Sequence, residues 1–219
     1  MLDPTTLQSV GRPVRLDEPV CCVSAGPDNH TAIALTGSYE ASGFWVGSST
    51  GWALVDLESG TVVNEGALEI NGRVVALSPD GRHAVVGGGG GELLVLDLDT
   101  GEPVRPPVVS HDEVVLSLTY SPDGQRLLTS GPDSSVGLWD GATGLLVARV
   151  VVPQRFNEAG FRKDPSSVLI APLWGGPVYE WDTRVESALA FACRVAGRDF
   201  TEAEWTEEFG DRPHQHVCS

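Results

Sequence analysis

The stretch VLSLTYSPDGQRLLTSGPDSSVGLWDGATG, residues 115–144, decides the fold. It opens on an alternating run, Val115 to Tyr120, whose period of two suits a β-strand. Ser121-Pro122-Asp123-Gly124 then makes a turn: proline pre-sets φ at the second position and glycine suits the fourth. A second strand follows from Arg126 to Thr129, then a tight turn and a third strand that ends in Trp139-Asp140. Ala142-Thr143-Gly144 turns the chain again into a fourth strand, Leu145 to Val151. Four short strands joined by tight turns make one unit of a β array.

The unit recurs on both sides. Apolar strands closed by aspartate end at Asp56, Asp97, Asp140 and Asp182, at intervals of 41, 43 and 42 residues. That period is expected for a four-stranded propeller blade. The turn Ser78-Pro79-Asp80-Gly81 repeats the one at Ser121, and Glu58-Ser59-Gly60 and Asp99-Thr100-Gly101 repeat the last turn. The first unit is longer, because Asp3, which looks like another third-strand aspartate, lies 53 residues before Asp56. Its first strand is either Val20 to Ala25 or Thr31 to Thr36. The former is preferred because Gly26-Pro27-Asp28-Asn29 then sits at the turn, with extra residues around Ser38 to Gly43.

Ser-Pro-Asp-Gly after the first strand and Trp-Asp closing the third resemble the WD40 family. The resemblance covers about residues 1 to 182 and implies an all-β, WD40-type β-propeller of about four blades, partial or four-bladed, with a short C-terminal α-helical tail. Blades are expected at about 17–66, 72–109, 112–152 and 155–182, with 5–16 an outer strand and the tail at 184–219. In the third unit His111, Ser130, Asp133 and Trp139 match the family's hydrogen-bonded tetrad. A serine, a histidine and an aspartate invite a hydrolase reading, but the spacing is the tetrad's, and triads are recognised by geometry. Asp56, Asp97, Asp140, Trp181 and Asp182 carry the repeat signature. The other units depart from the pattern, with glycines at Gly87 to Gly91 and Trp174-Gly175-Gly176-Pro177 where the tetrad aspartate belongs. No Gly-Lys-Ser/Thr follows the glycine run, so it reads as a hairpin and not a phosphate loop.

Four units leave closure open. The chain is a piece of a larger propeller, or half of an assembly whose edges pair with another chain, or a ring of four whose N-terminal strand completes the last blade.

Beyond Asp182 the period changes. Val185, Ala188, Leu189, Ala192, Cys193 and Ala196 recur at helical spacing, with Gly197 as cap. Thr201 and Glu204 form a capping box, flanked by Phe200 and Trp205 at the staple positions, and predict a helix from Glu202 to Phe209 that stops at Gly210. Ala192 to Arg198, Thr201, Glu204-Trp205 and Cys218 resemble the tail of actinobacterial WD40 proteins, in which a kinase or a STAND-type ATPase precedes the propeller. No Walker lysine motif or His-Arg-Asp loop occurs here, so only a sensing or docking role carries over.

Cys193 and Cys218 meet in a disulfide if the tail folds back, which a reducing cytoplasm opposes. Cys21 and Cys22, adjacent on a strand, are expected to face opposite sides. His214, His216 and Cys218 alternate like a metal trio, but structural zinc normally needs four ligands, and no metal or cofactor is expected.

The net charge of −16 opposes a phosphate backbone, so no nucleic acid is expected. Among 14 basic residues only Lys163 is lysine, which reads as a GC-rich bacterial background. No apolar run suits a membrane span and no signal pattern opens the chain, so a cytoplasmic location is expected. The expected function is non-catalytic: a scaffold that binds a protein or peptide, with self-association through open blade edges. Trp45, Trp52 and Trp174 are candidate contact aromatics, set against a place in the blade core. The competing readings are a degenerate fragment of a larger signalling ATPase or kinase, and a propeller hydrolase or lyase.

Overall fold

The computed structural model describes residues 13–38 and 48–218. Its strands, in chain order, are β1 (Val20–Ala25), β2 (Thr31–Ser38), β3 (Ser48–Asp56), β4 (Thr61–Leu77), β5 (His83–Gly88), β6 (Glu92–Asp97) and β7 (Val108–Val109). They continue with β8 (Ser117–Tyr120), β9 (Arg126–Ser130), β10 (Ser135–Asp140), β11 (Leu146–Val151), β12 (Asn157–Phe161), β13 (Ser167–Pro172) and β14 (Tyr179–Asp182). Two helices close the chain, α1 (Val185–Ala196) and α2 (Glu202–Phe209). All pairings among the described residues are antiparallel, and the curled sheets form a half-barrel.

The first two blades are joined. β4 is 17 residues long and serves as the outer strand of blade 1 and the inner strand of blade 2, so β1 to β7 form one seven-stranded sheet. The break expected between residues 66 and 72 is absent because the backbone stays extended through it. β8 to β11 make blade 3, and β12 to β14 make a three-stranded blade 4. Val20–Ala25 is the first strand, paired with β2. The proposed outer strand at 5–16 lies outside the described residues up to Arg12, and Pro13 to Leu16 form no strand.

Consecutive blades share cores. Ile33, Leu35 and Trp52 of blade 1 meet Val86, Leu94 and Leu96 of blade 2. Val85, Leu93 and Val95, on the other side of the same strands, meet Leu118, Leu127 and Trp139 of blade 3. Leu128, Val136 and Leu138 then meet Ala159, Val168 and Ile170 of blade 4. β5 and β6 are therefore buried on both faces, which is why they read as continuous apolar runs and not as alternating ones. The free face of blade 4 differs: it carries Glu158, Leu169 and Glu180, all exposed.

The aspartates that close the third strands build the turns after them. Asp56, Asp97 and Asp140 each accept the backbone N–H groups two and three residues on, and Gly60, Gly101 and Gly144 follow at φ of 73°, 78° and 62°. Glycine adopts that conformation without a Cβ clash. After Asp182 no such glycine comes. Its carboxylate accepts from Arg184 N–H and from the Ser187 hydroxyl instead, and the chain leaves the sheet as α1.

The tail forms the two helices that the pattern predicts and folds back on itself. The Thr201–Glu204 capping box is present, and Trp205 is buried with its indole N–H on the Arg212 carbonyl. Cys193 and Cys218 are joined in a disulfide. That bond removes Cys218 from the metal trio, whose His214 and His216 contact the Phe200 carbonyl and Asp199.

Candidate functional site

Two features stand at the end of the strands where the loops between blades meet the loops between second and third strands. One is a buried polar network in blade 3. The other is an exposed aromatic surface beside it.

His111 precedes β8 and Asp133 lies in the β9–β10 turn; His111 Nδ1 is 3.0 Å from the Asp133 carboxylate. Its Nε2 is 2.9 Å from the Thr129 hydroxyl, which takes the Trp139 indole N–H at 2.9 Å. A single direction of donors satisfies every group: indole N–H to Thr129, Thr129 O–H to Nε2, Nδ1–H to Asp133. The Ser135 hydroxyl joins at 2.9 Å from both His111 Nδ1 and Asp133.

The hydroxyl expected here, Ser130, is a correction. Ser130 donates instead to the Asn157 carbonyl at 2.6 Å and ties blade 3 to blade 4. Neighbours on a strand point to opposite faces, so only one of Thr129 and Ser130 can reach His111. The register decides it: Thr129 stands opposite Gly137, and the Trp139 side chain leans over that glycine to reach it. Gly137 was the available signal, since a glycine two residues before the tryptophan leaves room for the indole. Thr129, Ser135 and Gly137 were missed.

Equivalent positions elsewhere are apolar. Val86 opposite Leu94, with Leu96 next along, fills the place in blade 2, and Ile170 opposite Tyr179, with Trp181, fills it in blade 4. Trp181 is half-buried against the core that blades 3 and 4 share.

Thr129, His111 and Asp133 stand in the order of a hydrolase triad. Yet Thr129 and His111 are 0% and 1% exposed, and the hydroxyl already holds the indole. A nucleophile must reach its substrate. This one is sealed in the blade, and its role here is to join strands.

Burial holds the His111 ring below its ordinary value of 6.5, against the pull of Asp133. Burial also opposes ionisation of Asp133, but the Ser135 N–H, His111 and the Ser135 hydroxyl outweigh it and hold the carboxyl low. The histidine is thus neutral in the fold and can take a proton more readily when unfolded. Its contribution to stability is complete above about pH 6.5 and is lost as the pH falls toward the folded value. Urea midpoints should therefore fall between about pH 6.5 and pH 5 in the wild type, and less steeply in His111→Gln. Equal slopes would exclude His111 as the titrating group.

The surface beside the network is apolar and aromatic. Trp174 is 79% exposed in the β13–β14 loop, its ring 4.5 Å from that of Phe156. Arg155 lies over Phe156, donates to the Pro132 carbonyl and pairs with Glu113, so loops of blades 3 and 4 are tied together. Leu173 and Val178 widen the patch. Phe156 itself has φ of 57°, a left-handed conformation uncommon for an aromatic residue. Trp52, by contrast, is 1% exposed and belongs to the core between blades 1 and 2, because its strand is buried on that face. Trp45 lies outside the described residues.

Residues 103–140 match the WD domain, G-beta repeat family. COMPASS component SWD1 of Saccharomyces cerevisiae is 39% identical over 66 residues, 29% of this chain and 16% of that protein. Protein RBL of Arabidopsis thaliana is 29% identical over 111 residues, 48% and 20% of the two chains. Autophagy-related protein 16 of Arabidopsis thaliana is 33% identical over 90 residues, 41% and 18%. The chain thus spans a fifth or less of the length of these relatives.

Proposed function

We propose that this chain is a non-catalytic docking module whose loop end around Trp174 binds a protein or peptide segment. The observation that carries the reading is the exposed Trp174–Phe156 pair, set on loops that Arg155 and Glu113 brace. Large exposed aromatics held rigidly are the side chains that dominate binding at protein interfaces. The polar network below fixes the scaffold and supplies no reacting group. A net charge of −16 favours basic partners and disfavours nucleic acid. The proteins it resembles include COMPASS component SWD1, named as one component of a larger whole, which agrees with a scaffold.

No helix among the described residues is long and apolar enough to cross a membrane. The arginine bias supports a bacterial protein, whereas the Cys193–Cys218 bond favours an oxidising compartment over the cytoplasm. The tail pattern supports descent from a propeller attached to an ATPase or kinase. Among the described residues no strand pairs with the outer edge of β14, which supports self-association.

Panning a phage-displayed peptide library on the full chain tests the docking role. Peptides rich in apolar and basic residues should be enriched, and Trp174→Ala should abolish their binding while changing stability by under about 0.5 kcal/mol. Enrichment of no peptide, or binding indifferent to Trp174, would remove the proposal.

A further inference from the structure

The pairing of β1 with β2 shifts register between Val20 and Cys22. Such a bulge re-aims side chains that would otherwise alternate, and here it overturns the expectation that Cys21 and Cys22 face apart. Their sulfurs lie 2.7 Å from each other. Cys21 Sγ is 3.0 Å from the Ser49 hydroxyl, and the Cys22 thiol donates to the Arg73 carbonyl at 2.9 Å. Cys21 is exposed and Cys22 partly so.

We propose that Cys21 and Cys22 form a chelating site for trivalent arsenicals, with the Ser49 oxygen as a third donor for the inorganic form. The geometry selects this chemistry in two steps. A direct disulfide between neighbours is disfavoured, since adjacent Cα atoms stand about 3.8 Å apart across a trans peptide and disulfides prefer about 4.4 Å or more. An atom that bridges the sulfurs avoids that constraint. Trivalent arsenic is soft, as thiolates require, and pyramidal, so its two bonds to sulfur leave at a narrow angle that two converging thiols span. A two-coordinate linear metal would need the sulfurs on opposite sides of it.

The site is also reactive. The neighbouring Cys22 thiol is the largest influence on Cys21; with Ser49 and the Arg73 guanidinium it outweighs burial and lowers Cys21 to about 6. The thiolate, the attacking form, is then populated at neutral pH. With an aryl arsenoxide, the Cys21 thiolate and the Cys22 thiol form two As–S bonds, the Cys22 S–H and arsenic–oxygen bonds break, and the oxygen leaves as water with the Cys22 proton and one proton from solvent. Arsenic stays trivalent and no sulfur is oxidised. The Cys22 bond to the Arg73 carbonyl, which joins the inner strands of blades 1 and 2, is lost in the product.

The test is phenylarsine oxide added to the full chain with excess monothiol, read by intact mass and by thiol titration. The expected result is a gain of one phenylarsine oxide less one water and the loss of two reactive thiols. Cys21→Ser should abolish the adduct, while the Cys193→Ser/Cys218→Ser variant should keep it. Peptide mapping on the unaltered chain should place the arsenic on the fragment that holds residues 21 and 22, whatever the variants do to folding. No adduct on the full chain, an adduct that survives Cys21→Ser, or arsenic mapped to the tail would each overturn the proposal.

Discussion

Gly137→Val is expected to destabilise the chain by about 2–4 kcal/mol, combining overpacking with the loss of a buried hydrogen bond. A Cβ at this position would lie 2.6 Å from the Trp139 indole nitrogen and 3.0 Å from the Thr129 hydroxyl. Neither atom has room to retreat, because Thr129 and Trp139 are 0% and 2% exposed and Trp139 fills the core between blades 2 and 3. The indole must swing away, which leaves its N–H without Thr129 and opens the packing against Val85 and Val95. Urea denaturation followed by tryptophan fluorescence measures the change. A control at Gly160, where a Cβ meets nothing within 4 Å, should be far milder. Comparable losses at both glycines would show that backbone preference alone, and not the approach of the indole, explains Gly137.

The second large effect separates two adjacent hydroxyls. Thr129→Val keeps the shape of the side chain but removes the partner of both His111 Nε2 and the Trp139 N–H. Two buried polar groups are left unsatisfied, at a cost of about 2–4 kcal/mol. Ser130→Ala removes one hydrogen bond, to the Asn157 carbonyl, and should cost about 1–2 kcal/mol. The pH dependence distinguishes them further. Thr129→Val should shift the NMR titration of the His111 ring, whose Nε2 it leaves facing an apolar side chain, while burial still holds the ring below 6.5. Ser130→Ala should leave that titration in place. The opposite order, with Ser130 the costlier site and the one that moves the titration, would contradict the network.

Both predictions concern stability, and binding enters through the same loops. His111 and Asp133 hold the ends of the loops on which Glu113 and Pro132 meet Arg155, and Arg155 lies over Phe156, which touches Trp174. The aromatic pair therefore rests on a chain of contacts rooted in the blade. Rigid support lowers the ordering cost that a binding surface must overcome.

The amino-acid sequence alone determined the repeat, its period near 42 residues, the turns at Ser78 and Ser121, both tail helices and the capping box. These are local: each depends on turn residues, alternation or helical spacing within a few positions. The partners of the two terminal cysteines were readable as a question but not as an answer, because distance along the chain does not report distance in space. What the tertiary structure decided is pairing across strands. Register chose Thr129 over Ser130, and a bulge at Cys21 brought together two thiols that alternation would separate. Packing between blades sent Trp52 into the core and left Trp174 in water, although both tryptophans stand beside glycine. Continuity of β4 merged two blades, since an extended backbone needs no sequence mark to go on. In the stretch from residue 115 to 144 the letters specified the strands and turns, while register, by setting Thr129 opposite Gly137, specified which hydroxyl holds them together.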